Sequence, residues 1–120
     1  MSMPTAVERL RDAINSHDPG RVAGCFSTDY RCERPMRPSE GFTGSDQVLR
    51  NWTGVFGSMP DLRADVLRAA VNGPEVWSEW EMNGTGPEGP NVIRGVVVFT
   101  VRDDRIDWSR FYLDPVLEKS

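Results

Sequence analysis

From residue 61 to residue 114 the chain alternates, and this constrains its fold more than any other feature. Four segments, DLRADVLRAAV, EVWSEWEMN, VIRGVVVFTVR and RIDWSRFYLD, are rich in branched and aromatic residues and are set apart by turn signals. Asn72-Gly73 suits a hairpin turn whose central positions need positive φ. Asp103-Asp104 turns the chain before the last segment. Between the second and third segments, GTGPEGPN is dominated by glycine and proline and reads as an irregular loop. Consecutive strands joined by connections this short pair with antiparallel neighbours, because a parallel pairing needs a crossover of a dozen residues or more. The second half is therefore expected to be an antiparallel meander.

The first half has helical spacing. Val7, Leu10, Ala13, Ile14 and His17 fall on one face of a helix from Pro4 to Ser16. Asp18-Pro19 reads as a cap and first-turn proline of a short second helix that would carry Val22, Cys25 and Phe26 inward. TDYRCERP is a short strand ended by Pro35, and RPMRPSEGFTG is a loop. Ser45 is placed to cap a third helix, whose Val48, Leu49, Trp52, Val55 and Phe56 mark a buried side. Helices first and a meander after them indicate an α+β domain over residues 1–120, with three N-terminal helices packed on one face of a curved, mostly antiparallel sheet.

Composition removes several function classes. Apolar residues make up 38% and charged residues 27%, so the chain can bury a core and is not of the disordered type. The formal charge is −4 and the arginines are scattered among acids, which argues against a nucleic-acid surface. No apolar run reaches the roughly 20 residues that span a bilayer. The opening MSMPTAVERLRDAI is an amphipathic helix rather than a signal sequence, so the protein is expected to be cytoplasmic. Cys25 and Cys32 lack metal-site spacing, and His17 is the sole histidine. No metal or cofactor is expected, and both cysteines read as small buried hydrophobes.

Strand alternation sorts the side chains into two faces. Val76, Ser78, Trp80 and Met82 form the drier face of one strand. Ile93, Gly95, Val97 and Phe99 form one face of the next. In the last strand Asp107, Ser109, Phe111 and Leu113 face one way; Ile106, Trp108, Arg110, Tyr112 and Asp114 face the other.

AINSHDPGRVAGCFSTDYRCERP, GFTGSDQVLRNW, SMPDLRADVL and DRIDWSRFYLDP together resemble the SnoaL-like branch of the nuclear transport factor 2 superfamily, over nearly the whole chain. The resemblance implies a cone in which three helices close a bent sheet over an apolar pocket. Relatives include polyketide cyclases, epoxide hydrolases, ketosteroid isomerases and ligand binders without catalysis, so fold alone does not decide activity. It implies a pocket lined by Leu10, Trp52, Phe56, Ser78, Trp80, Met82, Ile93, Val97, Phe99, Phe111 and Leu113. It also implies a homodimer through the outer sheet face, here bearing Trp77, Arg94, Val96, Val98, Trp108, Arg110 and Tyr112.

The same matching is unfavourable to the known chemistries. The arginine and the two acids of the epoxide hydrolases match Trp80, Met82 and Phe111. The cyclase aspartate again matches Phe111. The isomerase tyrosine and oxyanion acid match Leu10 and Val97, and its base matches Arg34 or a neighbour. Asp114 is out of phase with Phe111 and is expected at the strand end. The remaining candidates for proton transfer or for holding an oxyanion are Glu33, Arg34 and Asp114. One of Glu33 and Arg34 should face the pocket mouth; alternation alone does not say which. The expected ligand is a small hydrophobic molecule of polyketide, terpene or steroid type. It is either converted by a rim acid or simply bound.

Overall fold

A computed structural model describes residues 3–117; residues 1–2 and 118–120 of the expected domain lie outside the described residues. Helix α1 (Thr5–Asn15) buries Val7, Leu10, Ala13 and Ile14, the stripe its spacing predicts. Pro4 stands at its N-cap. Helix α2 (Pro19–Ala23) opens on Asp18, whose carboxylate accepts the N–H groups of Gly20 and Arg21. This answers two of the amides that a helix start leaves without partners. The helix stops before Cys25 and Phe26. Both are buried, but Phe26 begins strand β1 (Phe26–Glu33) rather than extending α2.

A single 3-10 turn (Pro38–Glu40) and the two-residue strand β2 (Phe42–Thr43) interrupt the expected loop. Helix α3 (Ser45–Ser58) follows. Its N-cap is Gly44 at φ 99°, with no side-chain cap, so the expected Ser45 cap is not made. The backbone there adopts a left-handed geometry that glycine takes without cost. Val48 and Phe56 are buried and Trp52 and Val55 partly so, but Leu49 turns outward and is 40% exposed.

Strands β3 (Arg63–Asn72), β4 (Glu75–Gly86), β5 (Gly89–Arg102) and β6 (Arg105–Pro115) form the meander. The sheet order is β2-β1-β6-β5-β4-β3; β1 runs parallel to β6 and every other pair is antiparallel. GTGPEGPN is regular after all. Gly84 pairs with Asn91, Thr85 with Pro90 and Gly86 with Gly89, so only Pro87 and Glu88 form the turn. Asp61 caps this hairpin extension by accepting the Thr85 N–H at 2.7 Å.

Bulges interrupt the alternation of β3 and β6. Opposite Val66–Arg68, Leu67 has no partner on β4, and it points out at 50% exposure. On β6, Trp108 pairs with Thr100 and Ile106 with Val101, which leaves Asp107 as the extra residue. An extra residue reverses the alternation beyond it. Ile106 is therefore buried in the core instead of sharing the outer face with Trp108, and Asp107 accepts a hydrogen bond from the Thr100 hydroxyl.

The helices sit on the inner face. Asn15 ties α1 to β3: its amide donates to the Ala64 carbonyl at 2.9 Å, and its carbonyl accepts the Ala64 N–H at 2.7 Å. His17, at φ 60°, links the turn after α1 to the start of the sheet. One ring nitrogen lies 2.6 Å from the Leu62 carbonyl, and the ring stacks on Phe56. No described helix is long and apolar enough to cross a membrane.

Candidate functional site

A cavity of about 340 Å³ lies between the helices and the inner sheet face. Leu10 and Ile14 reach it from α1, and Val48, Trp52 and Val55 from α3. Phe26, Tyr30 and Cys32 come from β1, Trp80 and Met82 from β4, Ile93 and Val97 from β5, and Phe111 and Leu113 from β6. Cross-strand pairing sets these side chains in rows: Met82 opposite Ile93, Val97 opposite Phe111, and Trp80 opposite Gly95, which in turn faces Leu113.

Of the residues expected to line the pocket, Leu10, Trp52, Trp80, Met82, Ile93, Val97, Phe111 and Leu113 do so. Phe56, Ser78 and Phe99 do not. Phe56 is turned onto His17, and Phe99 is fully buried in the core behind the wall. Ser78 is consumed internally: its hydroxyl donates to the Val97 carbonyl at 2.9 Å and accepts the Trp80 indole N–H at 2.8 Å. It has no proton left to offer a ligand, and the indole is held in a fixed orientation.

The interior has no formal charge. Burial pushes the Tyr30 hydroxyl well above its ordinary pKa and raises the Cys32 thiol. Both therefore stay protonated at neutral pH, and no thiolate nucleophile is available. The Tyr30 hydroxyl shares a short hydrogen bond with the Ser109 hydroxyl, which is equally buried.

Charge is confined to the mouth. Arg34, Arg37 and Asp114 line it, together with Asn51. Arg34 donates to Glu40 at 3.1 Å, and Arg37 lies 3.4 Å from the Asp114 carboxylate. Asp114 thus stands at the strand end beside the opening. Glu33 takes the opposite orientation and lies outside the cavity. It accepts the Trp108 indole N–H at 2.6 Å, and Arg110 and Arg31 lie 3.6 and 3.8 Å away. Strand alternation places Cys32 inward, and the outward position of Glu33 follows from it.

Several lining residues escaped the sequence reading. Ile14 and Val55 were legible, one helical turn from Leu10 and three residues from Trp52. Tyr30 and Cys32 were legible too, two apart on β1. Met59 and Leu62 come from the α3–β3 connection and Arg37 from the proline loop, where no periodicity points to a cavity.

The SnoaL-like domain family model matches residues 7–108. No curated protein sequence gives a significant match. Among solved structures, a protein with a ketosteroid isomerase-like fold from Catenulispora acidiphila, in complex with trimethylamine, superposes with a TM-score of 0.81 at 16% identity, covering 92% of this chain and 87% of that one. A proposed polyketide cyclase from Streptomyces antibioticus gives 0.77 at 22% identity, over 91% and 89% of the two chains. An LEH-like epoxide hydrolase from M. tuberculosis gives 0.76 at 21%, over 91% and 80%. These likenesses establish the fold.

Proposed function

The chain belongs to the SnoaL-like domain family, and from that premise we propose that it binds a small hydrophobic molecule of polyketide, terpene or steroid type in the cavity under α1 and α3. The observation that carries this reading is a wall that is mostly apolar, with its charged residues, Arg34, Arg37 and Asp114, at the mouth. By the resemblance, the positions where relatives carry catalytic acids hold Met82, Val97 and Phe111, and Trp80 stands where the epoxide hydrolases carry their arginine. The reading is accordingly a binder, with Arg34 as its polar anchor. Glu33 faces away, and the Asp114 carboxylate is taken up by Arg37.

Magnitudes favour such an anchor. Burying roughly 300 Å² of apolar ligand gives about 7 kcal/mol gross at about 25 cal/mol/Å². Association costs of about 4 kcal/mol or more leave an affinity weaker than about millimolar. A charge-assisted hydrogen bond from Arg34 adds about 1.5–3 kcal/mol. The test uses tryptophan fluorescence, since Trp52 and Trp80 both face the cavity. Titration with a panel of aromatic polyketides, terpenes and steroids is expected to give saturable quenching. Arg34→Gln should weaken binding about tenfold or more without changing thermal stability. A panel that leaves the emission unchanged would overturn the reading.

A homodimer through the outer face is part of the same proposal. Trp77 and Tyr112 are 43% and 38% exposed around a buried Val98, and the pairs Arg68–Glu79 and Arg94–Glu81 flank them. Exposed aromatics of this kind, clustered within a polar rim, suit a partner surface. Light scattering at micromolar concentration is expected to give twice the chain mass, and Tyr112→Glu should give the monomer. A monomeric wild type would end this part of the proposal.

A further inference from the structure

Met82 lines the cavity, and period two puts Gly84 and Gly86 on the same face of β4, beyond it. Neither of these glycines has a positive φ, unlike Gly89 across the turn, so their backbone does not require glycine. A glycine inside a strand weakens it and marks a site where another group approaches closely. Here that group is Met59. A Cβ on Gly84 would lie 3.2 Å from both Cβ and Sδ of Met59 and 3.3 Å from Leu62 Cδ1, and one on Gly86 would lie 3.9 Å from Met59 Cγ. Met59 is thus laid along the two glycines.

The connection that carries Met59 is tied at several points. The Met59 N–H donates to the Val55 carbonyl at 2.8 Å, Asp61 accepts the Thr85 N–H at 2.7 Å, and the Leu62 carbonyl lies 2.6 Å from the His17 ring nitrogen. Asn91, which pairs with Gly84, sets its amide nitrogen 3.8 Å from Met59 Sδ. Met59 and Leu62 are both buried from solvent and both line the cavity. Side chains pushed off Gly84 therefore have the cavity to move into. We infer that Met59 is a specificity-determining residue that sets the largest ligand the cavity admits, and that Gly84 positions it. This rests on the binding reading above and adds what limits ligand size. Methionine is otherwise an adaptable wall, and its seat on Gly84 makes it a firm one.

The test is calorimetric titration with 2-naphthol and 9-phenanthrol, neutral aromatic alcohols that differ by one ring. Wild type is expected to bind both. Gly84→Ala should weaken 9-phenanthrol relative to 2-naphthol by about tenfold, the scale of one carbon in an apolar pocket. Met59→Ala should shift the ratio the other way by a similar factor. In the Met59→Ala background, Gly84→Ala should leave the ratio unchanged. General loosening would move both probes alike, so the ratio reads the position of Met59. Thermal unfolding checks that each variant is folded at the titration temperature; should Gly84→Ala not fold, Met59→Ala decides alone. A ratio unchanged in a folded single variant overturns the inference and leaves apolar binding standing. A Gly84→Ala effect that persists without the Met59 side chain overturns the positioning role. Failure of both probes to bind wild type removes the binding reading and this inference with it.

Discussion

Gly95→Ala is expected to lower the melting temperature by about 10 °C or more, or to abolish soluble expression. Gly95 sits in the middle of β5 at φ 153°, between Trp80 on one side and Leu113 on the other. A Cβ there would lie 1.9 Å from the Tyr112 carbonyl oxygen and 2.9 Å from Leu113 Cα. These are backbone atoms of the neighbouring strand, so no rotamer change relieves the overlap. Strained φ alone costs about 1–3 kcal/mol, and pushing β6 away from β5 adds to that. About 3 kcal/mol in a domain of this size corresponds to the shift stated. Gly54→Ala is the control of opposite sign. Gly54 lies within α3, and a Cβ on it meets nothing within 4 Å. A helix interior favours alanine over glycine by about 1 kcal/mol, so this variant should melt higher. Thermal unfolding of both variants checks the pair. Gly95→Ala melting within a degree or two of wild type would mean that β5 and β6 are less closely apposed than the register requires.

Gly95 also illustrates where sequence reading succeeds and where it stops. Period two placed Gly95 on the same face as Val97 and Phe99, correctly, because β5 pairs with β4 without a register shift. The same rule failed at Ile106. The bulge at Asp107 depends on β6 meeting both β5 and the distant β1, and a pairing 80 residues apart leaves no local signature. GTGPEGPN failed for a related reason. Glycine and proline predict irregularity in isolation, but the ladder from β4 and β5 continues through them, anchored by Asp61. The cavity followed the same division. Its strand and helix walls were legible from periodicity; its mouth, built from Arg37 and the loop before β2, was not. Glu33 and Arg34 remained undecided on alternation until the position of β1 between β2 and β6 was known.

Trp80→Ala is expected to cost about 3–5 kcal/mol, the range for truncating a fully buried aromatic. The indole is 1% exposed and forms part of both the core and the cavity wall. Its N–H is held by Ser78, which is itself anchored on the Val97 carbonyl, so ring orientation and β4–β5 pairing reinforce each other. Trp80→Phe separates the two roles. Phenylalanine keeps most of the packing, and Ser78 loses a donor but keeps its own bond to Val97, so no buried donor is orphaned. The cost should be nearer 1 kcal/mol, about one neutral hydrogen bond. With less of the ring on the wall, the cavity deepens next to Gly95 and Leu113. The phenylalanine variant should then stay folded while its ligand preference moves toward bulkier molecules, read as a changed affinity order across the same panel. Urea unfolding gives the first quantity: a lower midpoint at unchanged slope for both variants, large for alanine and small for phenylalanine. Equal destabilisation by the two substitutions would mean that the hydrogen bond to Ser78, rather than ring packing, holds this wall. Unchanged ligand order in Trp80→Phe would place the bound molecule away from the β4–β5 wall, toward α3 and the mouth.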